Sequence, residues 1–201
     1  IKQSVYYVAT AGKVALLAKI LDDPALSRVI VFARTKHRAN RVAEQLGKRG
    51  IAADAIHGNK SQGARQRALN RFRAGDARVL VATDIAARGI DVDGVTHIIN
   101  YELPNEPESY VHRIGRTARA GTSGVAFSFC DPAEHGYLRD IERLIRHRLA
   151  VIGEEPAVAP RDDRRNAKKP RVALRHKSYK LGNSRNRKRS SRRGATVQAT
   201  A

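Results

Sequence analysis

Six short apolar runs rich in β-branched residues recur along the first 130 residues, and the stretches between them carry helical rather than alternating periodicity. Few folds accommodate that order. The runs at 5–9, 29–33, 51–56, 79–82, 95–100 and 125–130 read as strands. Val29-Ile30-Val31-Phe32 has no polar alternate, which predicts a strand covered on both faces. Between the runs, Val14, Leu17, Ala18 and Leu21 form one helical stripe, Ala39, Val42, Ala43 and Leu46 a second, and Ala64, Ala68, Leu69 and Phe72 a third. Thr35 and Ser61 stand where helix caps belong. Asp131, with Pro132 next and Glu134 at the capping-box position, predicts a helix through Leu138, Ile141 and Ile145. Strand and helix alternating in this way predict a three-layer α/β domain with a mainly parallel sheet. Ligands of such folds gather beyond the carboxyl ends of the strands. Arg34-Thr35, His57-Gly58 and Thr83-Asp84 all occupy such ends.

The pattern stops near Leu149, and Gly153-Glu154-Glu155-Pro156 reads as a linker, so residues 1–152 are expected to form the domain and 153–201 a linker and tail. Residues 161–201 hold 15 Lys+Arg against 2 Asp+Glu, a net +13 out of the chain's +20. So charged and so poor in apolar residues, the tail is expected to be disordered in isolation and to bind RNA without regard to sequence, with an inert solubilising tail as the alternative. Tyr179 is its one aromatic, so phosphate contacts should outweigh stacking. No run of 18 apolar residues and no signal-peptide pattern is present, which disfavours a membrane partner. With a single cysteine, Cys130, no disulfide can form within the chain, and a reducing, cytoplasmic location is expected. Cys130 lies in an apolar run and reads as a core residue. The seven histidines lack zinc-site spacing, so no bound metal is expected. The sequence begins at Ile1 and contains no methionine, which predicts a piece of a longer protein.

The segment from Tyr110 to Gly121 places Arg113, Arg116 and Arg119 at spacing three among glycines and small residues. A guanidinium keeps its charge and matches phosphate oxygens with two parallel hydrogen bonds. On a helix Arg116 and Arg119 would project from one face, toward a polyanion such as a triphosphate. A solvated basic helix face would read the same way. The stretch from Thr83 to Asp91 follows a strand, where a hydroxyl and backbone amides can hold phosphate and Asp91 can accept from ribose hydroxyls. Ordinary turn capping explains Thr83 and Asp84 equally well. Gln62 and Arg65, three apart at a helix start, suit a nucleic-acid backbone or plain solvent.

In this order and spacing, the segments resemble the second RecA-like domain of DEAD-box RNA helicases over roughly residues 1–149. Residues 29–35 are similar to motif IV, Gln62 and Arg65 to the Q-x-x-R element, residues 83–91 to motif V and residues 112–119 to motif VI. Within the family, residues 31–46 look most like the bacterial RhlE-like branch, whose members carry basic C-terminal tails. The resemblance implies that Arg116 and Arg119 act as arginine fingers on the γ-phosphate of ATP, with His112 coupling that site to its surroundings. Gly89 and Asp91 would meet the nucleotide, and Thr35, Gly58, Gln62, Arg65 and Thr83 the RNA sugar-phosphate backbone. Ala118 stands where many members have glycine, a change expected to be tolerated, and Glu102 where aspartate is frequent.

No Gly-x-x-x-x-Gly-Lys-Ser/Thr loop and no Asp-Glu-Ala-Asp sequence occurs, so the β-phosphate cradle and the magnesium ligand are expected in a missing N-terminal RecA-like domain. The resemblance therefore implies the C-terminal half of an ATP-dependent RNA helicase, inactive alone, that helps separate RNA duplexes locally. A non-enzymatic RNA-binding or assembly module and half of a DNA-directed helicase remain the alternatives. The physiological RNA, the protein partners and the oligomeric state are not written in the chain.

Overall fold

The computed structural model describes residues 1–87, 90, 92–118 and 123–154. Ile1–Val158 form one compact unit; the second unit, Ala159–Ala201, and with it the expected basic tail, lies outside the described residues. Seven strands are described: β1 (Lys2–Tyr7), β2 (Val29–Phe32), β3 (Ala53–Ile56), β4 (Val79–Ala82), β5 (His97–Asn100), β6 (Val125–Cys130) and β7 (Ala150–Val151). They form one sheet in the order β3-β4-β2-β5-β6-β1-β7 with every pairing parallel. The helices are α1 (Lys13–Leu21), α2 (Lys36–Gly47), α3 (Gln62–Ala74), α4 (Asp84–Ala87), α5 (Pro107–Ile114) and α6 (His135–Ile145).

The strand order dictates which face each helix covers. From β1 to β2 to β3 the chain moves one way across the sheet, and from β3 onward it moves back. A right-handed crossover that reverses direction must also change face. Accordingly Leu17 and Leu21 of α1 and Val42 and Leu46 of α2 pack with Val29, Val31, Val79 and Val81. Phe72 of α3, Ala86 of α4, Tyr110 of α5 and Ile141 of α6 pack with Ile30, Phe32, Leu80 and Ala82 on the opposite face. Alternate residues of β2 and β4 thus serve opposite layers, which is why neither strand contains a polar position.

The expected caps form. Thr35 accepts from the Arg38 N–H at 3.2 Å and Ser61 from the Ala64 N–H at 3.3 Å. Asp131 makes the capping box with Glu134, which opens a short 3-10 turn (Pro132–Glu134) before α6. Cys130 is buried, and burial above all pushes its thiol pKa up to about 12. Four expected strands shift: β1 starts earlier and stops at Tyr7, ahead of the 3-10 turn Thr10–Gly12, β2 stops at Phe32 rather than at 33, β3 begins at Ala53 rather than at 51, and β5 begins at His97 rather than at 95. The two-residue β7 has no periodicity to announce it and is held by parallel pairing to Ser4 and Val5.

Candidate nucleotide and RNA site

Register aligns the carboxyl ends of neighbouring strands. Ile56 pairs with Ala82, Ala82 with Phe32, and Phe32 with Asn100. With strands about 4.8 Å apart, the segments that follow β3, β4, β2 and β5 emerge side by side. Gly58 follows β3, Thr83 follows β4 and Thr35 follows β2. Gly58 is exposed, and a side chain added there would meet nothing within 4 Å. Thr35 and Gln62 are exposed, Thr83 is buried, and Arg65 is partly buried with a long 3.5 Å contact from Nη2 to the Ala86 carbonyl. Three neighbouring strand ends and the start of α3 therefore carry all five residues expected to face an RNA backbone.

The arginines of the 113–119 segment separate into different roles. Arg113 is 1 % exposed. Its Nε and Nη2 donate to the two carboxylate oxygens of Asp84 at 2.6 and 2.8 Å, its Nη1 donates to Asn100 Oδ1 at 3.1 Å and the Glu102 carbonyl at 2.7 Å, and its guanidinium stacks 5.0 Å from the Phe32 ring centre. It is a strut that ties α5 to the ends of β4 and β5. Four of its five N–H donors are committed inside the fold, which makes it a poor phosphate ligand. Arg116 differs: it is partly exposed, and Nη1 donates to the Ile90 carbonyl at 3.2 Å. A neutral carbonyl is readily exchanged for an anion, since hydrogen bonds to charged acceptors are about twice as strong.

Ser109, His112 and Arg116 follow helical spacing, and with Phe32, Asp84, Ala87 and Arg113 they line a cavity of about 200 Å³. Asp84 is neutralised by Arg113, so the remaining formal charge on the lining is that of Arg116. An anion fits that balance. The helix itself, however, stops short of Arg116. α5 ends at Ile114, the N–H groups of Arg116 and Thr117 drop to i−3 carbonyls, and Ala118 adopts φ 57°. A left-handed residue cannot continue the helix, so the shared helical face expected for Arg116 and Arg119 is corrected here. The Thr117 hydroxyl donates to the Val95 carbonyl and fixes this exit from α5. Arg119, Gly89 and Asp91 lie outside the described residues.

The left-handed backbone also revises the expectation for Ala118. Alanine pays a Cβ clash in that conformation that glycine avoids. Ala118→Gly is expected to stabilise the domain by about 1 kcal/mol, read as a higher urea midpoint at unchanged slope; an unchanged or lower midpoint would refute the strain.

Sequence reasoning missed a buried ionic cluster at the same end of the sheet. Lys13, 1 % exposed, is bonded to Glu134 and lies 3.3 Å from Asp131. Glu134 also accepts from the Leu103 N–H at 3.1 Å and meets Arg34 at 3.1 Å. Glu102 accepts from the Arg34 N–H at 2.9 Å and meets Arg38 at 3.4 Å. The signal was present, since Lys13 continues the Leu17 and Leu21 stripe at spacing four. Among the described residues no group of three His, Cys, Asp or Glu is arranged to hold a metal, and no helix is long and apolar enough to cross a membrane.

Residues 12–121 match the helicase conserved C-terminal domain family. The chain is 45% identical over 173 residues to the ATP-dependent RNA helicase CshA of Listeria monocytogenes, an alignment that covers 86% of this chain and 32% of that protein. The chain belongs to the DEAD-box helicase C-terminal domain family. It spans about a third of the length of this curated relative. Its fold is shared with E. coli DEAD-box protein SrmB, solved bound to the regulator of ribonuclease activity A (TM-score 0.75, 37% identity, 81% of this chain and 98% of that one). It is likewise similar to a Saccharomyces cerevisiae Dbp5 variant solved with RNA and ADP BeF3 (TM-score 0.69, 31% identity, 75% of this chain and 41% of that one). The DEAD-box domain is thus RecA-like, as its sequence implied; the relatives' names do not specify the RhlE-like branch.

Proposed function

We propose that this chain is the C-terminal half of an ATP-dependent RNA helicase and supplies one wall of a nucleotide site whose other wall is an N-terminal RecA-like domain. The observation that carries the reading is the contrast between Arg113, locked onto Asp84, and Arg116, left on a carbonyl at the cavity mouth. Arg116 and Arg119 act as fingers on the γ-phosphate, His112 couples that site to its surroundings, and Gly89 and Asp91 meet the nucleotide, Asp91 at the ribose. The N-terminal domain holds Mg2+, since the sequence here carries neither a Gly-x-x-x-x-Gly-Lys-Ser/Thr loop nor an Asp-Glu-Ala-Asp sequence. Thr35, Gly58, Gln62, Arg65 and Thr83 hold RNA by sugar and phosphate, which gives little sequence preference. Closing the two domains on one strand in a path that a duplex cannot follow separates the strands locally. Alone, the chain turns over no ATP. Its basic tail adds RNA affinity that falls steeply with salt, and the enzyme works in the cytoplasm.

Strand displacement by the full-length protein on matched RNA and DNA duplexes tests the substrate. RNA should be preferred, and replacing Gln62 and Arg65 together by alanine should raise the half-saturating RNA concentration roughly tenfold, since charge-assisted contacts to phosphate are lost. Preference for DNA would overturn the substrate, and ATP-independent RNA binding without displacement would favour an assembly module.

A further inference from the structure

Two of the loops assigned above to RNA are braced by a side-chain pair that none of the motifs contains. His57, the last residue before Gly58, is 3 % exposed. Its Nε2 lies 2.9 Å from Asn40 Oδ1, on the first turns of α2, the helix that Thr35 caps. The His57 carbonyl accepts the Lys60 N–H at 3.0 Å and closes the turn that presents Gly58. The other ring nitrogen, Nδ1, is fully buried and has no hydrogen-bond partner.

That orphan atom fixes the state of the ring. A buried N–H with no acceptor costs roughly 1–3 kcal/mol, whereas an unmet lone pair is tolerated more easily. The proton therefore sits on Nε2 and is donated to Asn40. Protonating both nitrogens would bury an unpartnered charged N–H; desolvation first, then Lys60, Lys36 and His37, lower the His57 pKa accordingly. His57 is a neutral, single-tautomer connector, stiff because only one arrangement satisfies it.

We infer that Asn40 and His57 are positioning residues that hold the Gly58 turn at a fixed distance from the Thr35 end of α2, so that both meet successive phosphates of one RNA strand. The inference rests on the RNA reading proposed above. Asn40 itself is exposed, so its replacement spares the core.

In the full-length enzyme, Asn40→Ala should raise the RNA concentration for half-maximal ATP hydrolysis about fivefold, the net worth of one hydrogen bond. Turnover at saturating RNA and the melting temperature should hold. Asn40→Asp, which keeps an acceptor for Nε2–H at the same length, should restore most of the affinity. An unchanged half-saturation in Asn40→Ala, an equal fall in turnover, or no recovery in Asn40→Asp each overturns the brace. The Gln62 and Arg65 variants separate this from the parent reading: if they also leave RNA half-saturation untouched, the RNA surface is wrong and the brace falls with it. If they weaken RNA while Asn40→Ala does not, the brace alone is wrong.

Discussion

Arg116→Ala in the full-length enzyme is expected to cut RNA-stimulated ATP turnover by roughly 10³-fold or more, the scale on which arginine fingers act in phosphoryl transfer. The domain should stay folded. Arg116 is partly exposed, and the bond it gives up, to the Ile90 carbonyl, is a neutral one. Arg116→Lys should recover little, because a point charge cannot reproduce a planar fork of donors against phosphate oxygens. Arg119→Ala is expected to behave alike. Arg113→Ala provides the contrast: it strips two bonds from Asp84 and one each from Asn100 and Glu102, and so should lower the melting temperature along with activity. Steady-state turnover at saturating ATP and RNA, read beside thermal melts, separates the two. Arg116→Ala turnover within tenfold of the unmodified enzyme would sink the finger assignment.

Lys13→Ala is expected to cost about 3–5 kcal/mol of folding stability, the range seen when one partner of a buried ion pair is removed. The Glu134 and Lys13 side chains are each 1 % exposed, and that of Asp131 is 11 % exposed. Arg34 and the Leu103 N–H stay on Glu134, but Asp131 loses the cation paired with it and the cluster is left one positive charge short. Lys13→Met fills the volume without the charge and should lose nearly as much. Adding Glu134→Gln to it should return part of the loss, a coupling that urea unfolding of the four proteins would measure. A loss below about 1 kcal/mol for Lys13→Ala would mean that water reaches the carboxylates after all. Acid tests the same cluster. Burial acts to raise the Asp131 pKa, but the Thr10 hydroxyl, Lys13 and the Ala133 N–H outweigh it and the net shift is downward. A carboxyl lowered in the folded state stabilises above its unfolded pKa, about 3.9, and that contribution disappears as pH falls through the folded value. Stability should thus drop below about pH 4, and Asp131→Asn should flatten that drop.

Much of the architecture was legible because its signals are local. The polar-free run Val29-Ile30-Val31-Phe32 marks a strand covered twice, the Ala39, Val42, Ala43, Leu46 stripe marks its covering helix, and Asp131-Pro132 with Glu134 marks the start of α6. Each signal spans about ten residues or fewer. The placement of Gly58, Thr83 and Thr35 at strand ends follows from the same reading. Where Arg116 and Arg119 were expected to share a helix face, the local signal failed, because the turn at Ala118 is fixed by the tie from Thr117 to Val95, over twenty residues away.

The sequence by itself determined the layers and six of the seven described strands, and it nominated residues for a nucleotide or RNA, since periodicity and caps act within a few turns of chain. Only the tertiary structure decided which arginine is a strut and which is available, that Lys13 lies buried between two carboxylates, and that Asn40 braces His57. Those outcomes depend on partners 17 to 121 residues apart, brought together by the strand order. Charge and hydrogen-bonding capacity are carried by the residue, but whether they are spent inside the fold is set by what packing places opposite.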